Sequence, residues 1–226
     1  MNVIMSTINT LTYNSKLTTV GPVIPKNGQL FKYLDDMGIG FLPSSSVNDS
    51  VYDKNYLDAY FDKQNTRMGK LLIASRIEFT LRSTGNSKSV CDIGVGAAGF
   101  CEGYNCKGYD VNEHAVKLLQ SMDKLANPYE EEFDYLTMWD VLEHIECPKE
   151  LFSKVKIGVV MSTPIYSSMD NILTSKHFKP NEHLWYFTDA GLKYFMKQFG
   201  FECVTQHNEE TLIGRESIGS YFFKRV

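Results

Sequence analysis

No stretch of this chain stays apolar for the ~20 residues that a membrane-spanning helix needs. The start, Met1-Asn2-Val3-Ile4-Met5, lacks the basic residues and apolar run of a secretory leader. Cysteine is sparse and shows no CxxC pair: Cys91, Cys101, Cys106, Cys147 and Cys203 are odd in number and widely spaced. This argues against a disulfide framework or a zinc ribbon, and for free thiols in a reducing, cytoplasmic compartment. Excess positive charge is missing as well. The net charge is −4, so broad electrostatic attachment to nucleic acid is disfavoured.

Residues 1–50 hold few charges and many Thr, Ser, Asn, Gly and Pro, and read as an irregular arm. Pro43-Ser44-Ser45-Ser46 looks like a turn. Residues 1–60 are expected to form an N-terminal arm and cap, with Tyr52, Tyr56 and Tyr60 facing a pocket or the core; residues 61–226 are expected to form the main domain. The spacing of Ile73, Ala74, Ile77 and Leu81 predicts a helix that ends at Ser83-Thr84-Gly85-Asn86. From Ser89 onward, strands and helices alternate. Strands are predicted at 90–93, 107–110, 133–139, 157–162, 201–205 and 220–223, with Pro164 stopping the fourth. Asn112 can cap a helix carrying Ala115, Leu118, Leu119 and Met122; Thr188 can cap one carrying Leu192, Phe195, Met196 and Phe199. The order predicts an α/β, Rossmann-like fold: a mostly parallel sheet with helices on both faces.

The turn Cys91-Asp92-Ile93-Gly94-Val95-Gly96-Ala97-Ala98-Gly99 lies where a strand runs into a helix. Gly94 and Gly96 let a ligand approach the backbone closely, and the helix beyond offers unpaired N–H groups. Asp110 ends the next strand, where an acid can accept both ribose hydroxyl hydrogens. Asp92 stands before the first glycine. A carboxylate there suits the ammonium and sulfonium of S-adenosylmethionine better than a pyrophosphate, which disfavours a nicotinamide dinucleotide.

With these residues in place, the chain resembles the class I S-adenosylmethionine-dependent methyltransferases. It is similar to the small-molecule branch that includes ubiquinone-biosynthesis-type O-methyltransferases, and to compact methyltransferase-like proteins of phages and bacteria. The resemblance runs over residues 51–226. It is carried by Val90 through Gly96, Gly108-Tyr109-Asp110-Val111-Asn112, Trp139-Asp140-Val141-Leu142-Glu143-His144-Ile145, Ser162-Thr163-Pro164, Asn181 through Thr188, and Gly214 through Ser220. It implies S-adenosylmethionine as cofactor, bound by Asp92, Gly94, Gly96, Asp110, Val111, Trp139 and Asp140. Three departures stand out. Ala98 occupies the place of the usual third glycine. The helix after the turn must be short. Little room remains between Met122 and Phe133 for a third strand, and Asp123 and Asn127 are poor substitutes for its adenine-contacting acid.

The second half should hold the methyl acceptor, since ligands of open α/β sheets sit beyond the carboxyl ends of the strands. Trp139 is expected to be an aromatic wall there. Asp140-x-x-Glu143-His144 could hold a divalent ion. The plainer reading, in which Glu143 and His144 fix the loop by hydrogen bonds, is preferred, so no metal is assigned. His183 is the candidate general base, with Glu182 orienting it and His144 beside it. An Asp/Asn-Pro-Pro-Tyr/Phe element and a Pro-Cys pair are both missing, which disfavours methylation of nucleic-acid bases. The expected function is methyl transfer to a small molecule, O-methylation favoured. A non-catalytic S-adenosylmethionine-binding regulatory or assembly protein is the alternative, and a nucleotide or nucleic-acid methyltransferase is a weaker one.

Overall fold

The computed structural model describes residues 19–23, 30–34, 37–42, 54–180 and 182–226. The chain begins with three strands, β1 (Thr19–Val23), β2 (Leu30–Leu34) and β3 (Ile39–Phe41), followed by helices α1 (Lys54–Asn65) and α2 (Arg67–Thr84). Then come β4 (Val90–Ile93), α3 (Gly99–Tyr104), β5 (Lys107–Tyr109), α4 (Glu113–Ser121) and β6 (Phe133–Trp139). A 3₁₀ turn (Leu142–His144) precedes α5 (Pro148–Ser153), β7 (Val155–Pro164) and α6 (Met169–Thr174). The chain closes with β8 (Trp185–Phe187), α7 (Asp189–Lys197), β9 (Phe201–His207), α8 (Glu209–Leu212) and β10 (Ile218–Arg225).

The central sheet has the order β5-β4-β6-β7-β10-β9. The first four strands are parallel, and β10 runs antiparallel to both β7 and β9. This is the expected Rossmann-like sheet. A single parallel bridge between Gly108 and Leu125 lies outside β5. Gly108 N–H donates to Lys124 O at 2.8 Å, and Ala126 N–H donates to Gly108 O at 3.0 Å. The compressed third strand is thus one bridge long.

Alternation along the central strands feeds two buried layers. Tyr135, Trp139, Val160 and Phe222 pack with Phe79 of α2, Phe100 of α3 and Leu119 of α4. Leu136, Met138, Met161 and Phe223 pack on the other face with Phe152 of α5 and Phe195 of α7. Burying such a side chain contributes about 1.5–3 kcal/mol, which is why strands covered on both faces read as nearly continuous apolar runs. Both predicted caps form: Asn112 Oδ1 accepts from His114 N–H, and Thr188 Oγ1 accepts from Gly191 N–H.

Two expectations change. Ala74 and Leu81 of α2 are exposed, and the helix buries Phe79, Thr80 and Thr84 instead. The Thr80 and Thr84 hydroxyls donate to the carbonyls of Arg76 and Thr80, both at 2.8 Å. They enter the core without an unmet donor, and a count of apolar residues does not register them. The second change concerns residues 1–50, read as irregular. They contribute strands to a second, antiparallel sheet of order β1-β2-β3-β8. Ile39 pairs with Phe187 and Phe41 with Trp185. The partner strand lies more than 140 positions away, beyond the reach of local pattern. Gly38 (φ +66°) lets this sheet meet α7: a Cβ there would stand 2.0 Å from Thr188 Oγ1. The turn expected at residues 43–46, Tyr52, the side chain of Tyr56 and Asn181 lie outside the described residues.

Candidate active site

β4 delivers the chain into the glycine turn. Gly94 and Gly96 have φ of +69° and +52°, a region costly for residues with a Cβ. A Cβ on Gly94 would lie 2.6 Å from Val141 Cγ2, and one on Gly96 would lie 3.1 Å from the Tyr60 ring. Ala98 adopts φ +57° where the third glycine was expected, a conformation that costs an L-residue about 1–2 kcal/mol. Asp110 ties the turn to the next helix. Its Oδ2 accepts from Gly96 N–H at 3.1 Å, and its Oδ1 accepts from Asn112 N–H at 2.9 Å. Burial raises the Asp110 pKa, while those amides act to lower it. Beside it opens a cleft of about 640 Å³ whose walls include Tyr109, Asp110, Val111, Leu125, Asn127 and Glu131. Val111 is largely exposed at its rim. Asn127 therefore does reach the wall, just past the one-bridge third strand.

Asp92 is placed deeper than the turn. It is buried, and its Oδ1 accepts from Thr137 Oγ1 at 2.6 Å. Desolvation pushes its pKa up to about 7. Trp139 is buried against Phe100, with ring centroids 5.2 Å apart, and carries the Arg76 guanidinium 5.0 Å over its ring. It packs as core as much as wall.

Asp140 leaves β6 with φ +59°. Its Oδ2 receives Arg76 at 3.0 Å and Arg215 at 2.8 Å. Arg76 also bonds Glu210 at 2.8 Å, and Arg215 bonds Glu210 as well. Two cations and two acids so balance each other in a partly buried cluster, Glu210 innermost. The two guanidinium groups hold Asp140 below the usual carboxylate range despite its partial burial. Sequence reading missed Arg76, Glu210 and Arg215 as site residues. The available sign was a charged residue, Arg76, four positions before Thr80 on the inward face of α2.

The 3₁₀ turn after β6 presents Glu143 and His144 to the segment leading into β8. Leu184 N–H donates to Glu143 O at 2.7 Å, and Trp185 Nε1–H donates to Ile145 O at 2.8 Å, fixing the two segments together. Glu143 is 1% exposed, and its Oε2 accepts from Thr163 Oγ1 at 3.0 Å. Burial, with Asp140 nearby, raises its pKa to about 8. His183 is 4% exposed and meets the His144 ring edge-on, with centroids 4.7 Å apart. Burial lowers the His183 pKa to about 2, helped by the neighbouring His144 and Lys179. His144 Nδ1 faces Glu182 O at 2.9 Å. The Glu182 carboxylate turns instead to Lys179, at 3.0 Å. Glu182 therefore orients His144 through its backbone rather than His183 through its side chain.

Four buried side-chain polar atoms among the described residues have no hydrogen-bond partner: Trp139 Nε1, Asp140 Oδ1, Glu143 Oε1 and His183 Nδ1. Each such atom costs about 1–3 kcal/mol when nothing meets it. All four come from the carboxyl end of β6, the turn after it, or the residues just before β8. Among the described residues, no helix is long and apolar enough to cross a membrane.

The methyltransferase domain family model matches residues 65–206, more than half of the chain. No curated protein sequence matches. Among solved structures, magnesium protoporphyrin IX methyltransferase from Synechocystis PCC 6803, with S-adenosylhomocysteine bound, is 11% identical with a TM-score of 0.58. The likeness covers 79% of this chain and 98% of that one. A possible histamine N-methyltransferase from Thermotoga maritima is 14% identical with a TM-score of 0.56, over 76% of this chain and 97% of that one. The 1,6-didemethyltoxoflavin-N1-methyltransferase of Burkholderia thailandensis is 12% identical with a TM-score of 0.54, over 92% of this chain and 100% of that one. These likenesses establish the fold, and the family match establishes the class: the chain belongs to the methyltransferase domain family and is an S-adenosylmethionine-dependent methyltransferase.

Proposed function

We propose that this enzyme methylates a small molecule, at an oxygen in preference to nitrogen or carbon, and that the acceptor lies between Asp140 and His183. The observation that carries this reading is the presence of four unpartnered buried polar atoms on residues at the carboxyl end of β6, in the turn after it and just before β8, the edge where α/β sheets take their ligands. An acceptor with a hydroxyl and further polar groups would meet them. The net charge of −4 disfavours nucleic acid as acceptor. The similarity to ubiquinone-type O-methyltransferases points the same way. In the cofactor half, Gly94, Gly96, Asp110 and Val111 hold the nucleoside side, while Asp92, Trp139 and Asp140 lie toward the methionine side.

In the transfer, the acceptor oxygen forms a bond to the methyl carbon as the carbon–sulfur bond breaks in line. The sulfonium becomes the neutral thioether of S-adenosylhomocysteine, and the hydroxyl proton leaves. His183, which burial keeps from protonating, helps to orient that hydroxyl, and the proton leaves to solvent. His144, held by the Glu182 carbonyl, keeps the His183 ring in place. The catalytic gain comes mainly from positioning. Residues 1–60 serve as the cap: β3 pairs with β8 immediately after His183, and Tyr60 of α1 lies against Gly96. The five unpaired thiols fit a reducing cytoplasm.

The test is formation of S-adenosylhomocysteine with separate pools of phenols, catechols, aliphatic alcohols, amines, DNA and RNA. Turnover with a hydroxyl pool is expected. Turnover restricted to DNA or RNA would overturn the reading.

A further inference from the structure

We propose that Glu143, His144 and His183 form a binding site for one divalent transition-metal cation, of the type of zinc(II) or cobalt(II), at the acceptor end of the sheet. Each residue offers one ligand atom, and these atoms all lie within 4.8 Å of one another. Ligands about 2.0–2.2 Å from a common ion stand roughly 3–3.5 Å apart, so small side-chain rotations close the set.

The environment of each donor supports a cation. Glu143 is fixed through Oε2 by the Thr163 hydroxyl, which leaves Oε1 buried with no partner. Protonating the carboxyl does not cure this, because no acceptor faces Oε1. His183 Nδ1 is likewise buried and unpartnered. His144 directs Nδ1 at the Glu182 carbonyl. That hydrogen bond places the ring proton on Nδ1 and frees the Nε2 lone pair, which is how a backbone carbonyl orients a metal-bound imidazole. Burial disfavours the protonated form of both imidazoles.

Asp140 takes no part in this set. The atoms that lie within 4.8 Å of one another do not include its oxygens; its Oδ2 is held by Arg76 and Arg215, and its Oδ1 is left for the acceptor. The grouping suggested by sequence spacing, Asp140 with Glu143 and His144, is therefore replaced by one in which His183 comes from the segment before β8. Two imidazoles and one carboxylate favour zinc-like cations over magnesium, which prefers an all-oxygen shell. Three protein ligands also leave a position open. An acceptor hydroxyl bound there would lose its proton more readily. This role in transfer rests on the methyl-transfer reading above; the binding of the ion does not.

The experiment is a cobalt(II) titration of the full-length, chelator-dialysed protein without cofactor, read by visible absorption. One equivalent should bind with d–d bands and without the near-ultraviolet thiolate bands that binding at Cys91, Cys101 or Cys106 would produce. Zinc(II) should displace it, and excess magnesium(II) should not. Glu143→Gln and His183→Gln should each weaken cobalt binding at least about tenfold, while their circular dichroism and their thermal shift with S-adenosylmethionine stay at wild-type level. Absence of d–d bands, thiolate bands in their place, or equal affinity in well-folded variants would overturn the site. Cobalt bound as expected but no turnover on any acceptor would leave the site standing and overturn its role in transfer.

Discussion

The two ends of the active edge are built on opposite principles. At the glycine turn, both oxygens of the Asp110 carboxylate already hold backbone amides, from Gly96 and Asn112. Beyond β6 and before β8, four buried polar atoms hold nothing. The first end is a finished scaffold that a nucleoside can dock against. The second is a set of groups whose partners must arrive with the ligand. Unmet buried polar groups lower stability, so they persist where function needs them. At this second end the Arg76–Asp140–Arg215–Glu210 network keeps Asp140 charged and fixed.

The largest effect is expected where the network is broken. Arg76→Ala leaves buried Glu210 and Asp140 short of one cation. It should cost about 3 kcal/mol and lower the melting temperature by about 6–12 °C. If calorimetry shows almost no change, the network does not hold Asp140 and Glu210 as described. Next comes Asp92. Its pKa of about 7 lies above the ordinary carboxylate value, so between pH 4 and 7 the folded state keeps a proton that the unfolded chain has lost. Its contribution to stability is complete below that window and is lost as the pH rises through it. Asp92→Asn should flatten this dependence and stabilise the cofactor-free protein at pH 8 by on the order of 2 kcal/mol. An unchanged slope in denaturant unfolding would contradict the burial of that carboxylate. The smallest effect serves as a control: Arg82→Ala removes only the exposed pairs with Glu209 and Glu78 and should change stability by less than about 1 kcal/mol.

The same contrast explains what could be read from sequence. The finished end is local. Strand β4, the glycine turn, Asp110 and the Asn112 cap lie within 23 consecutive residues, 90–112, and each does what its own neighbours require. The end of β7 at Pro164 and the Thr188 cap of α7 were equally legible. The open end is assembled from afar. His183 meets His144 across 38 intervening residues, and Arg76 and Arg215 reach Asp140 from opposite ends of the domain. Spacing placed Asp140, Glu143 and His144 on one turn, but could not show that two arginines would claim Asp140. Nor could it show that Glu182 would act through its carbonyl. The β3–β8 pairing failed to appear for the same reason: each strand has only three residues, and neither is informative without the other.

The most direct measurement is a crossed comparison of Asp110→Ala and His183→Ala, with S-adenosylmethionine affinity by calorimetry and S-adenosylhomocysteine formation on an accepted hydroxyl substrate. Asp110→Ala should weaken cofactor binding about 10–100-fold, equivalent to roughly 1.4–2.8 kcal/mol. His183→Ala should leave that affinity within about twofold and lower turnover at saturating cofactor by about 10²–10⁴-fold. If His183→Ala loses cofactor affinity while its residual turnover matches wild type, the division of this edge into a finished cofactor end and an open acceptor end is wrong.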